Sequence, residues 1–121
     1  MSDLTVETRD EGDVTVLYPR GFINAHTVRG FEGAIQKALA RARFRIVVNC
    51  EGLTYIASAG LGAMMGAIEE IRGSGGDLRL CSLNETVHNI FDILGFNHLY
   101  RTYPSETEAV TSFVEPGQGS S

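Results

Sequence analysis

Two adjacent stretches constrain this chain more than anything else in it. The first is the β-branched run Phe44-Arg45-Ile46-Val47-Val48-Asn49. The second is Leu53-Thr54-Tyr55-Ile56-Ala57-Ser58-Ala59-Gly60-Leu61-Gly62, which follows within a few residues. The run is short and apolar enough for a central strand buried on both faces, and such a strand needs helices packed against its sheet. After it the pattern reads as a tight turn and a helix beginning at Ser58. That places a small hydroxyl at an exposed helix N-terminus, where free backbone N–H groups and the positive end of the helix dipole favour a negative group. Three roles are open to Ser58: capping the helix, binding an anion, or carrying a phosphate. As an N-cap it would follow the ordinary preference for serine there. As a phosphorylation site it would add about −1.5 to −2 charges where the dipole tolerates them.

The remaining pattern supplies the sheet and its helices. Leu4-Thr5-Val6-Glu7-Thr8 and Val14-Thr15-Val16-Leu17-Tyr18-Pro19 read as two strands joined by a turn at Glu11-Gly12-Asp13. Gly21-Phe22-Ile23-Asn24 leads into a helix with Val28, Phe31, Ile35 and Leu39 at helical spacing, and Asn24 is at or near its cap. The helix after Ser58 carries Leu61, Met64, Met65, Ile68 and Ile71 and stops at Gly73-Ser74-Gly75-Gly76. Asp77-Leu78-Arg79-Leu80-Cys81 alternates as a strand. Asn84 then opens a short helix with Val87, Ile90, Phe91 and Leu94 inward. Leu99-Tyr100-Arg101-Thr102-Tyr103 fits a last edge strand, and Ser105 with Glu108 forms a capping box for a final helix. The expectation is an α/β fold with a four- to five-stranded mixed sheet and about four helices, packed mainly on one face. A single domain should span 1–114, with a flexible tail over 115–121.

Composition narrows the function classes. The net charge of −5 leaves no basic stripe for nucleic acid, and Arg41, Arg43 and Arg45 read as solvated at a helix-to-strand junction. No apolar run is long enough to span a bilayer and Met1-Ser2-Asp3 starts no signal peptide, so a cytoplasmic protein without membrane insertion is expected. Cys50 and Cys81 read as reduced core residues. His26, His88 and His98 lack metal-site spacing, so neither a metal nor a cofactor is expected. Gly60 and Gly62 begin a dinucleotide fingerprint that Met65 breaks where its third glycine would fall. Ser58 lacks the G-x-S-x-G frame of a nucleophile, and nothing in the sequence ties a histidine base to it.

The element order, Gly21-Phe22-Ile23-Asn24 before the first helix, and the stretch from Leu53 to Gly62 before the second resemble the STAS domain. The likeness is to the small free-standing anti-sigma factor antagonists of bacteria, and it runs from about Leu4 to Phe113. The resemblance implies a partner-switching protein that is a substrate and a binder, not an enzyme. Its partners would be an anti-sigma factor that is also a serine-protein kinase, acting on Ser58 with ATP, and a phosphatase that resets the switch. The docking surface would comprise Asn24, Ala25, His26, Ala57, Ser58, Ala59, Gly60, Leu61, Met64 and Met65 on a monomer or weak dimer. The chain departs from the family pattern at three positions that are commonly acidic, where it has Asn24, Asn49 and Ala57. Asn24 keeps the capping chemistry and loses a charge. The alternative is a STAS adaptor subunit of a transporter or scaffold, with Ser58 as a cap and no phosphoswitch.

Overall fold

A computed structural model describes residues 3–114, and the tail expected over 115–121 lies outside the described residues. The chain runs β1 (Leu4–Glu11), β2 (Val14–Ile23), α1 (Val28–Ala40), β3 (Arg45–Asn49), β4 (Leu53–Ile56) and α2 (Ser58–Gly73). It continues through β5 (Asp77–Cys81), α3 (Glu85–Ile93), a 3-10 turn (Phe96–His98), β6 (Thr102–Tyr103) and α4 (Glu106–Val114). The sheet has six strands, in the order β1-β2-β3-β5-β6 with β4 also on β2. Among the described residues only the β1–β2 hairpin is antiparallel. The α/β mixed sheet is as the sequence implied, with five strands in the main order and β4 as a sixth beside β2. The expected edge strand over 99–103 shrinks to Thr102–Tyr103.

The extra strand arises because β2 changes partners. Its first half, Val14 to Leu17, pairs with β3, and its last residues, Gly21 to Ile23, pair with β4. The register shifts between Gly21 and Phe22. Gly21 has φ +110, and a Cβ there would sit 2.1 Å from the Asp3 carbonyl oxygen. Only glycine allows the strand to cross this point beside the incoming chain.

Strand alternation then builds two cores. Leu17, Ile46, Val48, Leu78 and Leu80 face α1, α2 and α3, meeting Phe31, Ile35, Leu61, Met64, Ile71, Val87 and Phe91. Val14, Val16, Val47 and Cys81 face the other way, under Ala109, Val110 and Phe113 of α4. Helices thus lie mainly on one face, with α4 alone on the other. Cys50 belongs to the first core and Cys81 to the second, both as free thiols. Burial raises both thiol pKa values, that of Cys81 to about 11.

Two expectations fail locally. Leu94 is 50% exposed because α3 ends at Ile93 and Gly95 turns the chain away at φ +74. Arg43 is not solvated: it donates to the carbonyls of Gly12 (2.8 Å) and Val14 (3.2 Å) and to the Thr15 hydroxyl (2.8 Å), pinning the β1–β2 hairpin.

Charged residues fasten α4 to its face. Arg79 is nearly buried, donates to Asp77 (3.0 Å) and the Ser112 hydroxyl (2.7 Å), and lies 4.0 Å from the centroid of the Phe113 ring. At the other end, the Glu106 carboxylate accepts from Asn49 Nδ2 (3.0 Å), the Tyr18 hydroxyl (2.9 Å) and Arg9. One glutamate so ties α4 to three strands. Burial pushes the Glu106 carboxyl up, but these donors together hold it below the usual carboxylate range. A depressed folded pKa stabilises the fold above the unfolded value of about 4.3, and that contribution is lost as pH falls through the folded value. Glu106→Gln should therefore flatten the acid limb of the Tm-against-pH curve below about pH 4.5. Superimposable acid limbs in calorimetric scans would refute this account of the α4 anchor.

Candidate functional site

The site is assembled where β2 and β4 end side by side. Ile23 pairs with Ile56, and the Ala57 N–H donates to the Ile23 carbonyl at 2.8 Å. This juxtaposes the turn that follows β2 with the start of α2. In the turn, Asn24 Oδ1 accepts from the N–H groups of His26 (2.8 Å) and Thr27 (3.1 Å). Its carbonyl accepts from Thr27 (3.2 Å) and Val28 (2.9 Å). The Thr27 hydroxyl accepts from the Asn24 N–H (2.9 Å) and donates to the Phe22 carbonyl (2.8 Å). Asn24 is therefore the near-cap expected, one turn before α1 begins at Val28, and Ala25 and His26 stand exposed at its tip. Thr27 was not singled out from the sequence; a threonine three residues after an Asx-turn asparagine is the signal that would have found it.

On the facing element, Ser58 is the first helical residue of α2 and not its cap. The cap position belongs to Ala57, in extended conformation and without a capping side chain. The Ala57 carbonyl accepts from Gly60 (2.9 Å) and Leu61 (3.4 Å), which closes the first turn. Ser58 is exposed, and its hydroxyl has no hydrogen-bond partner among the described residues. No acidic residue occupies the first turn of α2. The hydroxyl thus stands free at the positive end of a 16-residue helix.

Of the ten residues named for docking, seven are exposed or half-buried: Asn24, Ala25, His26, Ala57, Ser58, Ala59 and Met65, the last 47% exposed and two turns along the helix from Ser58. The other three do not. Gly60, Leu61 and Met64 face inward. Gly60 is where α2 presses on the strand pair, since a Cβ there would come within 2.7 Å of both Ile23 and Ile56. Adjacent Met64 and Met65 point to opposite sides because neighbours on a helix differ by about 100°. From beneath, the Asn84 side chain caps α3 by accepting from Val87 (2.9 Å) and donates to the Leu53 carbonyl of β4 (2.6 Å). The cap was legible in the sequence; the second bond was not.

Other chemistries find little here. Among the described residues no hydrogen bond links Ser58 to a histidine, and no group of three or more His, Cys, Asp or Glu residues is placed to hold a metal. No helix among them is long and apolar enough to cross a membrane.

The STAS domain family model matches residues 5–109. The chain belongs to the STAS domain family. Among characterised relatives, the anti-sigma F factor antagonist of Paenibacillus polymyxa is 26% identical over 110 residues, covering 90% of this chain and 94% of that one. An anti-sigma factor antagonist from Mycobacterium paratuberculosis has the same fold, with TM-score 0.82 at 20% identity over 90% of this chain and 92% of its own. SpoIIAA, an anti-sigma factor antagonist, matches in its unphosphorylated form with TM-score 0.75 at 23% identity, over 91% of this chain and 95% of its own. The phosphorylated form of the Bacillus protein matches with TM-score 0.67 at 22% identity, over 91% and 98%.

Glycine substitutions separate the two faces of this STAS α2. Gly60→Ala should cost about 1–3 kcal/mol by overpacking Ile23 and Ile56. Gly62→Ala, with nothing within 4 Å of its Cβ, should be neutral or stabilise by about 0.5–1 kcal/mol. Because Ser58 is not the cap, Ser58→Ala should stay within about 0.5 kcal/mol of wild type. Urea denaturation of the three variants measures all of these, and a cost above about 1 kcal/mol for Ser58→Ala would restore the capping role.

Proposed function

We propose that this protein is an anti-sigma factor antagonist that works by partner switching in the cytoplasm. Unphosphorylated, it binds an anti-sigma factor that is also a serine kinase; phosphate on Ser58 breaks the complex, and a phosphatase restores it. The observation that carries this reading is the unengaged Ser58 hydroxyl, exposed at the first position of α2 beside the residue 24–27 turn, in a helix turn without acids. A kinase can reach such a hydroxyl without unfolding anything. A phosphate there would be favoured by the dipole and would reverse the local charge seen by a partner. The names of the relatives and the existence of a phosphorylated SpoIIAA support the assignment.

The docking surface in this reading is the residue 24–26 turn, Ala57 to Ala59, and Met65, a polar rim with one adaptable apolar side chain. One observation favours the adaptor reading instead: Ala57 and Asn24 leave the serine without the neighbouring acids common in the family. Affinity capture from host lysate with wild type, Ser58→Ala and Ser58→Glu as baits decides between them. Partner switching requires an ATP-binding anti-sigma partner on the first two baits and its loss from the third. It also requires that purified partner and ATP phosphorylate wild type but not Ser58→Ala. Equal recovery on all three baits would leave a constitutive adaptor.

A further inference from the structure

The far end of α2 carries a second unusual surface. Three of the large apolar side chains left exposed lie in one short turn: Ile93 at 81%, Leu94 at 50% and Leu99 at 43%. That turn is tightly built, with Gly95 at φ +74 donating to the Asp92 carbonyl (3.1 Å) and Leu99 donating to that of Phe96 (3.0 Å). Backbone hydrogen bonds within the turn leave these side chains facing outward. Beside them opens a hollow of about 670 Å³ lined by Arg72, Asp77 and residues 97–103, with Leu99 common to both features.

The hollow has an excess of positive charge in a chain of net charge −5. Arg72 and Arg101 line it, and its one carboxylate, Asp77, is shared by Arg72 and Arg79, each at 3.0 Å, while Asp92 of the adjoining turn accepts from Asn97 (2.8 Å). Arg72 is held in place by the Leu99 carbonyl (2.6 Å) and by the Tyr100 ring, 5.9 Å away. The same turn carries unmet polar capacity: Asn97 Oδ1 and the Tyr100 hydroxyl are buried without a partner among the described residues. The hollow also borders β6, the last strand in the sheet order.

We propose that this turn and hollow form a second docking surface, which takes an acidic, leucine-rich segment of a partner protein. Charge complementarity selects the acid, and the exposed Ile93, Leu94 and Leu99 select the apolar side chains. A small inorganic anion would leave all three in water. Nucleic acid would meet the negative remainder of the molecule. On α2, positions 58 and 72 are about 21 Å apart at 1.5 Å per residue, so this surface stands apart from Ser58 and does not rest on the switch reading.

The test is a titration of ¹⁵N-labelled full chain, followed by NMR, with a synthetic peptide of Glu, Asp, Leu and Phe. About twelve residues, extended, are enough to cross turn and hollow. Saturable shifts should concentrate at Arg72, Leu94 and residues 97–102. Arg101→Glu and Leu94→Ser, both at exposed positions, should each weaken binding about tenfold. Ser58→Glu should leave it unchanged. The proposal is overturned by absence of saturable shifts, by equal binding of a peptide with Lys in place of its acids, or by inorganic phosphate alone reproducing the shifts. It is equally overturned if the shifts fall at residues 24–26 and 57–59, or if dilution without peptide produces them, which would mean that a second copy occupies the surface.

Discussion

The hydrogen bond from the Ala57 N–H to the Ile23 carbonyl is the contact on which this molecule's arrangement depends. By itself such a bond contributes only about 1 kcal/mol. Its weight lies in what it registers. Ile23 and Ile56 are both buried and paired across the strands, and α2 approaches so closely that Gly60 is the residue between them. A slip of one residue in β4 would turn Ile56 to solvent and Tyr55 inward, so burial fixes the register. The bulge at Gly21 lets β2 leave β3 and reach β4. An elaborate loop is therefore unnecessary: the proposed docking surface is two chain segments leaving one strand pair, and it inherits the rigidity of that pair.

The opposite face follows a different logic. One short helix covers it, with a small apolar contact from Ala109, Val110 and Phe113. Polar anchors supplement that contact at both ends, Glu106 to three strands and Ser112 to the nearly buried Arg79. These anchors are conditional on partners. Arg79 is tolerable under α4 because Asp77 takes its charge and Phe113 its planar face, so removing either leaves a cation poorly solvated. The cost of covering a second face in so small a domain is thus a dependence on correctly paired charge.

What could be read from the residues was what they decide locally. The strands and helices followed from periodicity, and Asn24, Asn84 and Ser105 from capping chemistry. The misreadings share a cause. Pairing of β4 with β2 joins residues some thirty positions apart, and nothing in Leu53-Thr54-Tyr55-Ile56 declares its partner. Leu94 continues the apolar spacing of α3, but the helix stops one residue earlier, so periodicity outran the element. Ser58 was offered as a cap because serine is the preferred residue there. The extended residue is instead Ala57, a poor cap that no propensity argument would choose. Gly60, Leu61 and Met64 were grouped with the docking surface by sequence neighbourhood, whereas helical rotation sends them to the core.

The three positions where the family resemblance leads to an acid and this chain is neutral do not share one explanation. Asn49 is engaged at both ends of its amide. Its Nδ2 donates to Glu106 at 3.0 Å while its Oδ1 accepts from the Glu51 N–H at 2.9 Å. An aspartate could keep the second bond only, and it would set two carboxylates in contact. Asn24 is different, because within its turn only the Oδ1 acceptor is used, and an aspartate would serve equally well. Ala57 has no side-chain role at all at its cap position. Neutrality at 24 and 57 therefore answers to no packing demand, and its effect is electrostatic. Both positions flank Ser58, and without their charges the start of α2 keeps its full positive character. A negative group arriving at Ser58 would meet no carboxylate from either position, so its charge would act on whatever docks there and not against the domain itself.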